Sequence, residues 1–179
     1  LALPDPEGPW LSILMILVLL AGCGTGGKHN QISFTVNGSN MDVLLLDLGT
    51  QKLLNLTNDP YDDWWSSWSA DGRYMAFASQ RRGDNDVYLM DMQKEEVRQV
   101  TVEKEDDGWP AISPDGKQLV FVTNRDGNYE IYHSDLEGSN PINMTRNPGE
   151  DGLPDWAPDN QRIVFASNRS GNWEIYITS

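Results

Sequence analysis

The chain is poor in cysteine, histidine and positive charge, and each shortage removes a class of function. Of 179 residues only Cys23 carries a thiol, so no internal disulfide can form. Histidine occurs twice, as His29 and His133, with no His-rich spacing of the kind that holds a metal. No Gly-x-Ser-x-Gly elbow presents a hydrolase nucleophile. Lys and Arg total 13 against 27 Asp and Glu, for a net charge of −14. Such a chain is repelled by nucleic acid and by anionic headgroups, which excludes nucleic acid as a partner. No stretch of useful length shows a 3.6-residue apolar period. The expectation from these absences is a non-enzymatic chain with no cofactor, no metal and no catalytic residue. Hydrophobic residues at 39 % and charged residues at 22 % still describe a folded chain.

The first 31 residues differ from the rest. An apolar run from Leu11 to Ala21 is about half the ~20 residues that cross a bilayer as a helix, and it fits a signal-peptide core. Leu20-Ala21-Gly22-Cys23 resembles the lipobox of bacterial lipoproteins. That resemblance implies removal of residues 1–22, lipidation of Cys23 and a flexible tether over 23–31. The leader carries Asp5 and Glu7 without Lys or Arg and starts with Leu1, so the start reads as truncated or misassigned. Gly22 to Lys28, "GCGTGGK", imitates a phosphate loop. It is preceded by the apolar run and followed by His29 where a hydroxyl residue should hold magnesium, so it reads as tether.

What the chain has in quantity is repetition. "NRDGNYEIY" begins at Asn124 and "NRSGNWEIY" at Asn168, an offset of 44. The offset holds for Asp63, Asp107 and Asp151; for Asp71, Asp115 and Asp159; and for Phe77, Phe121 and Phe165. It holds again for Arg81, Arg125 and Arg169 and for Tyr88, Tyr132 and Tyr176. Short β-rich runs such as "QLVFVT" are closed by "PDG", "RDGN" or "EGSN" turns, where Gly and Asn supply positive φ. A period in the forties with strand content indicates a propeller blade of four antiparallel strands. The third repeat is predicted to have strands near 108–113, 117–123, 129–135 and 141–145.

"WSADGRYMAFASQRRGDNDVYLMD", "ISPDGKQLVFVTNRDGNYEIYHSD" and "WAPDNQRIVFASNRSGNWEIY" resemble the repeats of TolB-like β-propellers over roughly residues 58–178. The predicted fold is therefore all-β. Blades fall at 58–101 and 102–145, with partial ones at 32–57, as three strands without an inner one, and at 146–179. From Ile32 onward there are 148 residues, about 3.4 periods, so the chain reads as a fragment of a longer frame.

Strand direction places the turns bearing Arg81, Arg125 and Arg169 on the same side as Asp63, Asp107 and Asp151, at the mouth of the central channel. The "PDG" turns lie opposite. Two readings of the mouth stay open: each Asp pairs with an Arg or caps a turn, or the carboxylates form a partner-docking rim. The neighbouring acids Asp62, Glu103, Glu105, Asp106 and Glu150 favour a strongly negative mouth. Trp64 has Gly108 and Gly152 as counterparts, so it is expected to be an exposed contact residue. Trp68 and Trp156 read as inter-blade core. His133, aligned with Leu89 and Ile177, reads as a packing position, and "DGNYE" from Asp126 to Glu130 reads as turn chemistry rather than a calcium loop.

The resemblance implies an exported, lipid-anchored, non-catalytic scaffold that binds other envelope proteins, a peptidoglycan-associated lipoprotein being the family expectation. Its role would then be linked to Tol-type transport or envelope integrity. Two alternatives stand beside it. One is the propeller of a larger prolyl-oligopeptidase-like peptidase with its hydrolase domain beyond Ser179. The other is a glycan- or peptidoglycan-binding module.

Overall fold

A computed structural model describes Val18, Leu19 and residues 31–179, and every regular element in it is a strand. The first sheet holds β1 (Val18–Leu19), β2 (Gln31–Asn37), β3 (Met41–Asp47) and β4 (Lys52–Asn55). The second holds β5 (Asp63–Trp68), β6 (Tyr74–Ser79), β7 (Asp86–Asp91) and β8 (Glu96–Gln99). The third holds β9 (Asp107–Ile112), β10 (Gln118–Thr123), β11 (Glu130–Asp135) and β12 (Ile142–Asn143). The fourth holds β13 (Asp151–Trp156), β14 (Ile163–Ser167) and β15 (Glu174–Thr178). Each sheet is an antiparallel meander in chain order. The 44-residue period thus maps onto one sheet per repeat, as the turn and strand signals require. The described residues form an open arc of propeller blades.

Residues 32–57 supply three strands, β2 to β4, and Val18 and Leu19 of the leader pair with Ser33 and Ile32 along the free edge of β2. A β-rich edge offers unpaired N–H and C=O groups, and a short apolar segment upstream can satisfy them. Cys23, the tether and the remainder of the leader lie outside the described residues.

Stacking sheets face to face buries both faces, which is why the central strands lack polar alternation. Phe77, Phe121 and Phe165 at equivalent positions are 0 %, 1 % and 2 % exposed. Between the first two blades Val43 and Leu45 pack on Trp68, Met75, Phe77 and Tyr88. Ala76, Val87 and Leu89 then meet Leu119, Phe121 and Tyr132, and Val120, Val122 and Ile131 meet Ile163 and Phe165. In each interface a blade's small or branched residues receive the next blade's aromatics. The stability of one blade therefore resides in its neighbours.

The "DG" turns also behave as their chemistry requires. Gly72 and Gly116 take φ of 71° and 68°, and Asn160 in the third copy takes 57°, the left-handed region that Asn tolerates better than most residues. Asn160 gains a second task there: its side-chain oxygen accepts a bond of 2.8 Å from the Asp115 backbone N–H of the preceding blade.

Candidate functional site

The repeated polar residues form one network per blade. Arg81, Arg125 and Arg169 each lie over a Phe–Tyr pair, with the guanidinium carbon 4.7–4.8 Å from the tyrosine ring centres. Their Nε atoms donate to Ser79, Thr123 and Ser167 at 2.9, 3.1 and 2.9 Å. Their terminal nitrogens reach Asp63, Asp107 and Asp151 at 3.2, 3.2 and 2.9 Å. Burial pushes the Asp63 and Asp107 carboxyls above the ordinary range, against bonds from Ser79 and Thr123 and the pull of the arginines. Stacked guanidinium and fork geometry are properties of Arg that Lys does not share.

This geometry corrects the docking-rim reading. The Asp63, Asp107 and Asp151 side chains are closed to solvent, so no partner can reach them in this arrangement. A buried carboxylate needs a nearby cation, and the same-side arginine turns supply it. Three of the five flanking acids are engaged too, while Glu103 and Glu105 are exposed. Asp62, Asp106 and Glu150 accept bonds from the backbone N–H groups of Met41, Asn85 and Tyr129, at 2.7, 3.2 and 2.8 Å, and so clasp one blade to the next.

The opposite turns hold Asp71, Asp115 and Asp159. Ser69 and Ser113 donate to the first two at 2.6 and 2.7 Å. Asp159 accepts from the backbone N–H groups of Gln161 and Arg162, and these bonds with the Arg162 guanidinium bring its carboxyl down to about 2. His133 packs on Trp156 at 6.0 Å and shares a bond of 2.8 Å with Gln118, consistent with a packing position. Among the described residues no cluster of three or more His, Cys, Asp or Glu could hold a metal ion.

The feature that sequence reading missed lies on the inner strands. β5, β9 and β13 each carry a bulge, with pairing interrupted between Trp64 and Ser67, between Gly108 and Ala111, and between Gly152 and Asp155. At each bulge a non-glycine residue sits in left-handed backbone: Trp65 at 53°, Trp109 at 44° and Leu153 at 51°. Left-handed backbone costs an L-residue about 1–2 kcal/mol, and a bulge usually fills that place with glycine. Trp65 and Trp109 stack across the blade boundary at 4.1 Å. Trp64 meets Trp65 edge-on at 5.4 Å, and Tyr129 meets Trp109 at 6.3 Å. Gly108 is necessary for this stack, because a Cβ there would fall 2.9 Å from the Trp65 ring. Leu153 takes the equivalent place in the next blade and is 64 % exposed. Trp64, expected to be exposed, is half-buried, its indole N–H enclosed without an acceptor among the described residues. The sequence signal was available: Trp65, Trp109 and Leu153 are also spaced by 44.

This wall offers aromatic area on left-handed backbone in successive blades. Residues 104–179 match the family profile described as the TolB beta propeller domain. No curated protein sequence matches the chain significantly. Among solved structures, a protein assigned as TolB in Agrobacterium tumefaciens superposes with a TM-score of 0.76 at 20 % identity, over 83 % of this chain and 57 % of that one. TolB from Acinetobacter baumannii gives 0.73 at 23 % identity, over 83 % and 38 %. A prolyl endopeptidase gives 0.62 at 15 % identity, over 86 % and 27 %. The chain therefore has a TolB-like propeller fold and spans little more than half of these structures at most.

Proposed function

We propose that this protein is a non-catalytic propeller scaffold that docks another protein of the bacterial cell envelope through its inner-strand aromatic wall. The observation that carries the reading is the left-handed backbone at Trp65, Trp109 and Leu153, repeated in three successive blades. Strain held in register by a rigid frame is characteristic of functional sites, and aromatic side chains are the commonest anchors of protein interfaces. The net charge of −14 steers a basic partner surface toward the wall. The TolB-like fold makes a peptidoglycan-associated lipoprotein the first partner to test. Lipidation of Cys23 would hold the scaffold at the membrane with the propeller on the exported side.

A photo-crosslinking residue at Leu153, in cells making the full-length protein, tests the docking. A single crosslinked envelope partner, lost when Trp65 and Trp109 are changed to Ala, supports it. Crosslinking unchanged in that variant refutes it. Replacement of Cys23 with Ser should abolish labelling by a fatty-acid analogue. The likeness to a prolyl endopeptidase propeller supports one second reading, the gating domain of a larger peptidase. A hydrolase nucleophile elbow in the reading frame beyond Ser179 would favour it.

A further inference from the structure

A second recessed surface lies on the third blade, away from the aromatic wall. The turn after β10 and the segment after β12 enclose a cleft of about 550 Å³. Asp126, Asn128 and Glu130, the alternating positions of the "DGNYE" turn, all line it, facing Asn143, Arg146 and Asn147. Asn128 and Glu130 recur in the fourth blade as Asn172 and Glu174, but the repeat architecture does not demand Asp126, Arg146 or Asn147. At the offset of 44 the second blade has Arg82 for Asp126, Val102 for Arg146 and Glu103 for Asn147, and the fourth has Ser170 for Asp126.

The free hydrogen-bonding groups decide what the cleft can hold. Glu130 is fully engaged, by the Asn147 backbone N–H at 2.7 Å and by the Asn143 amide. One oxygen of Asp126 accepts from the Tyr132 hydroxyl and from Asn143, and these bonds hold its carboxyl below the ordinary range. The Asn128 amide nitrogen is used by the carbonyls of Asn147 and Gly149, at 2.9 and 2.8 Å. Among the described residues this leaves four groups without partners. Two are acceptors, the second Asp126 oxygen and the Asn128 side-chain oxygen. Two are donors, the Asn147 amide nitrogen and the Arg146 guanidinium.

Two free oxygens fall far short of the six to eight that calcium takes. One guanidinium beside two carboxylates, on a chain of net charge −14, does not suit a polyanion. Paired donors and acceptors do suit hydroxyl groups, each of which donates and accepts. Exposed Pro141, Ile142 and Pro148 form an apolar flank for the C–H face of a ring, and the cleft opens to solvent beside them, so a ligand can continue outward. We infer that this cleft is a binding subsite for one unit of a neutral carbohydrate chain, held by Asp126 and Asn128 as acceptors and by Arg146 and Asn147 as donors.

The test is saturation-transfer NMR on the full chain with maltose, cellobiose and diacetylchitobiose as probes. Glycine, calcium chloride and digalacturonate serve as the zwitterionic, cationic and polyanionic comparisons. Transfer to at least one neutral disaccharide is expected. Arg146→Ala should weaken it about tenfold or more, since bonds to charged groups contribute about 1.5–3 kcal/mol. The exposed Arg146 side chain makes no hydrogen bond or ion pair among the described residues, so the melting temperature should hold. Asp126→Asn, which keeps a side-chain oxygen beside Tyr132, should weaken transfer as well. The inference is overturned if no neutral disaccharide shows transfer at millimolar concentration. It is equally overturned if transfer survives both substitutions, or if only a comparison ligand perturbs the cleft. Because the aromatic wall is untouched by these variants, partner crosslinking at Leu153 reports separately on docking.

Discussion

Removing Arg125 tests whether the repeated network orders the blades. Asp107 is 1 % exposed, and its two oxygens lie 3.2 and 3.4 Å from one terminal nitrogen of Arg125. The same guanidinium covers the Tyr132 ring at 4.8 Å and takes the Thr123 hydroxyl through Nε. Arg125→Met keeps apolar length but strands a buried carboxylate. Breaking a fully buried pair costs about 3–5 kcal/mol. The Arg125 side chain is 14 % exposed, so water offsets part of that loss, and about 2–4 kcal/mol is expected. In a domain of this size that lowers the melting temperature by about 5–15 °C. Asp107→Asn retains hydrogen bonding and should cost less, about 1–3 kcal/mol. The double variant removes both charges, so its cost should fall below the sum of the singles by more than ~1 kcal/mol. Urea denaturation of all four proteins at neutral pH completes the cycle. Strict additivity, or a single-variant cost below ~1 kcal/mol for Arg125→Met, would refute the reasoning and leave the pair as ornament on an apolar core.

Three further outcomes follow from the same geometry. Trp65→Gly should be more stable than Trp65→Ala by about 1 kcal/mol, because the backbone there is left-handed, and calorimetry on the two variants decides it. Burial, then Asp84 and Asp107, push the Asp86 carboxyl up to about 6. Its stabilising effect is therefore full below the unfolded value near 3.8 and is lost as pH rises through about 6. The native protein should gain melting temperature on acidification from pH 7 to 4.5, and Asp86→Asn should flatten that gain. Phe121→Ala, at a site 1 % exposed, should cost roughly 3–5 kcal/mol in the same denaturation assay.

The sequence by itself determined the fold to a useful depth, because propeller blades are written in local signals. Turn chemistry at Gly72, Gly116 and Asn160 and apolar runs such as Leu119 to Val122 are readable within one repeat, and the offset of 44 is readable by comparing repeats. The predicted strands of the third blade lie within a few residues of β9 to β12, and Trp68 is core, as predicted. Tertiary structure decided what neighbours do to each other. Whether Asp107 faces solvent or Arg125 depends on how far one turn folds over another, a distance that no spacing records. The bulges at Trp65, Trp109 and Leu153 arise because two residues of an inner strand must oppose one of its partner, and the stacked indoles hold that irregular backbone across a blade boundary. The cleft beside Arg146 has the same origin. Asp126 and Asn147 are 21 residues apart in the chain, and only the closing of a β-sheet brings their free hydrogen-bonding groups to one surface.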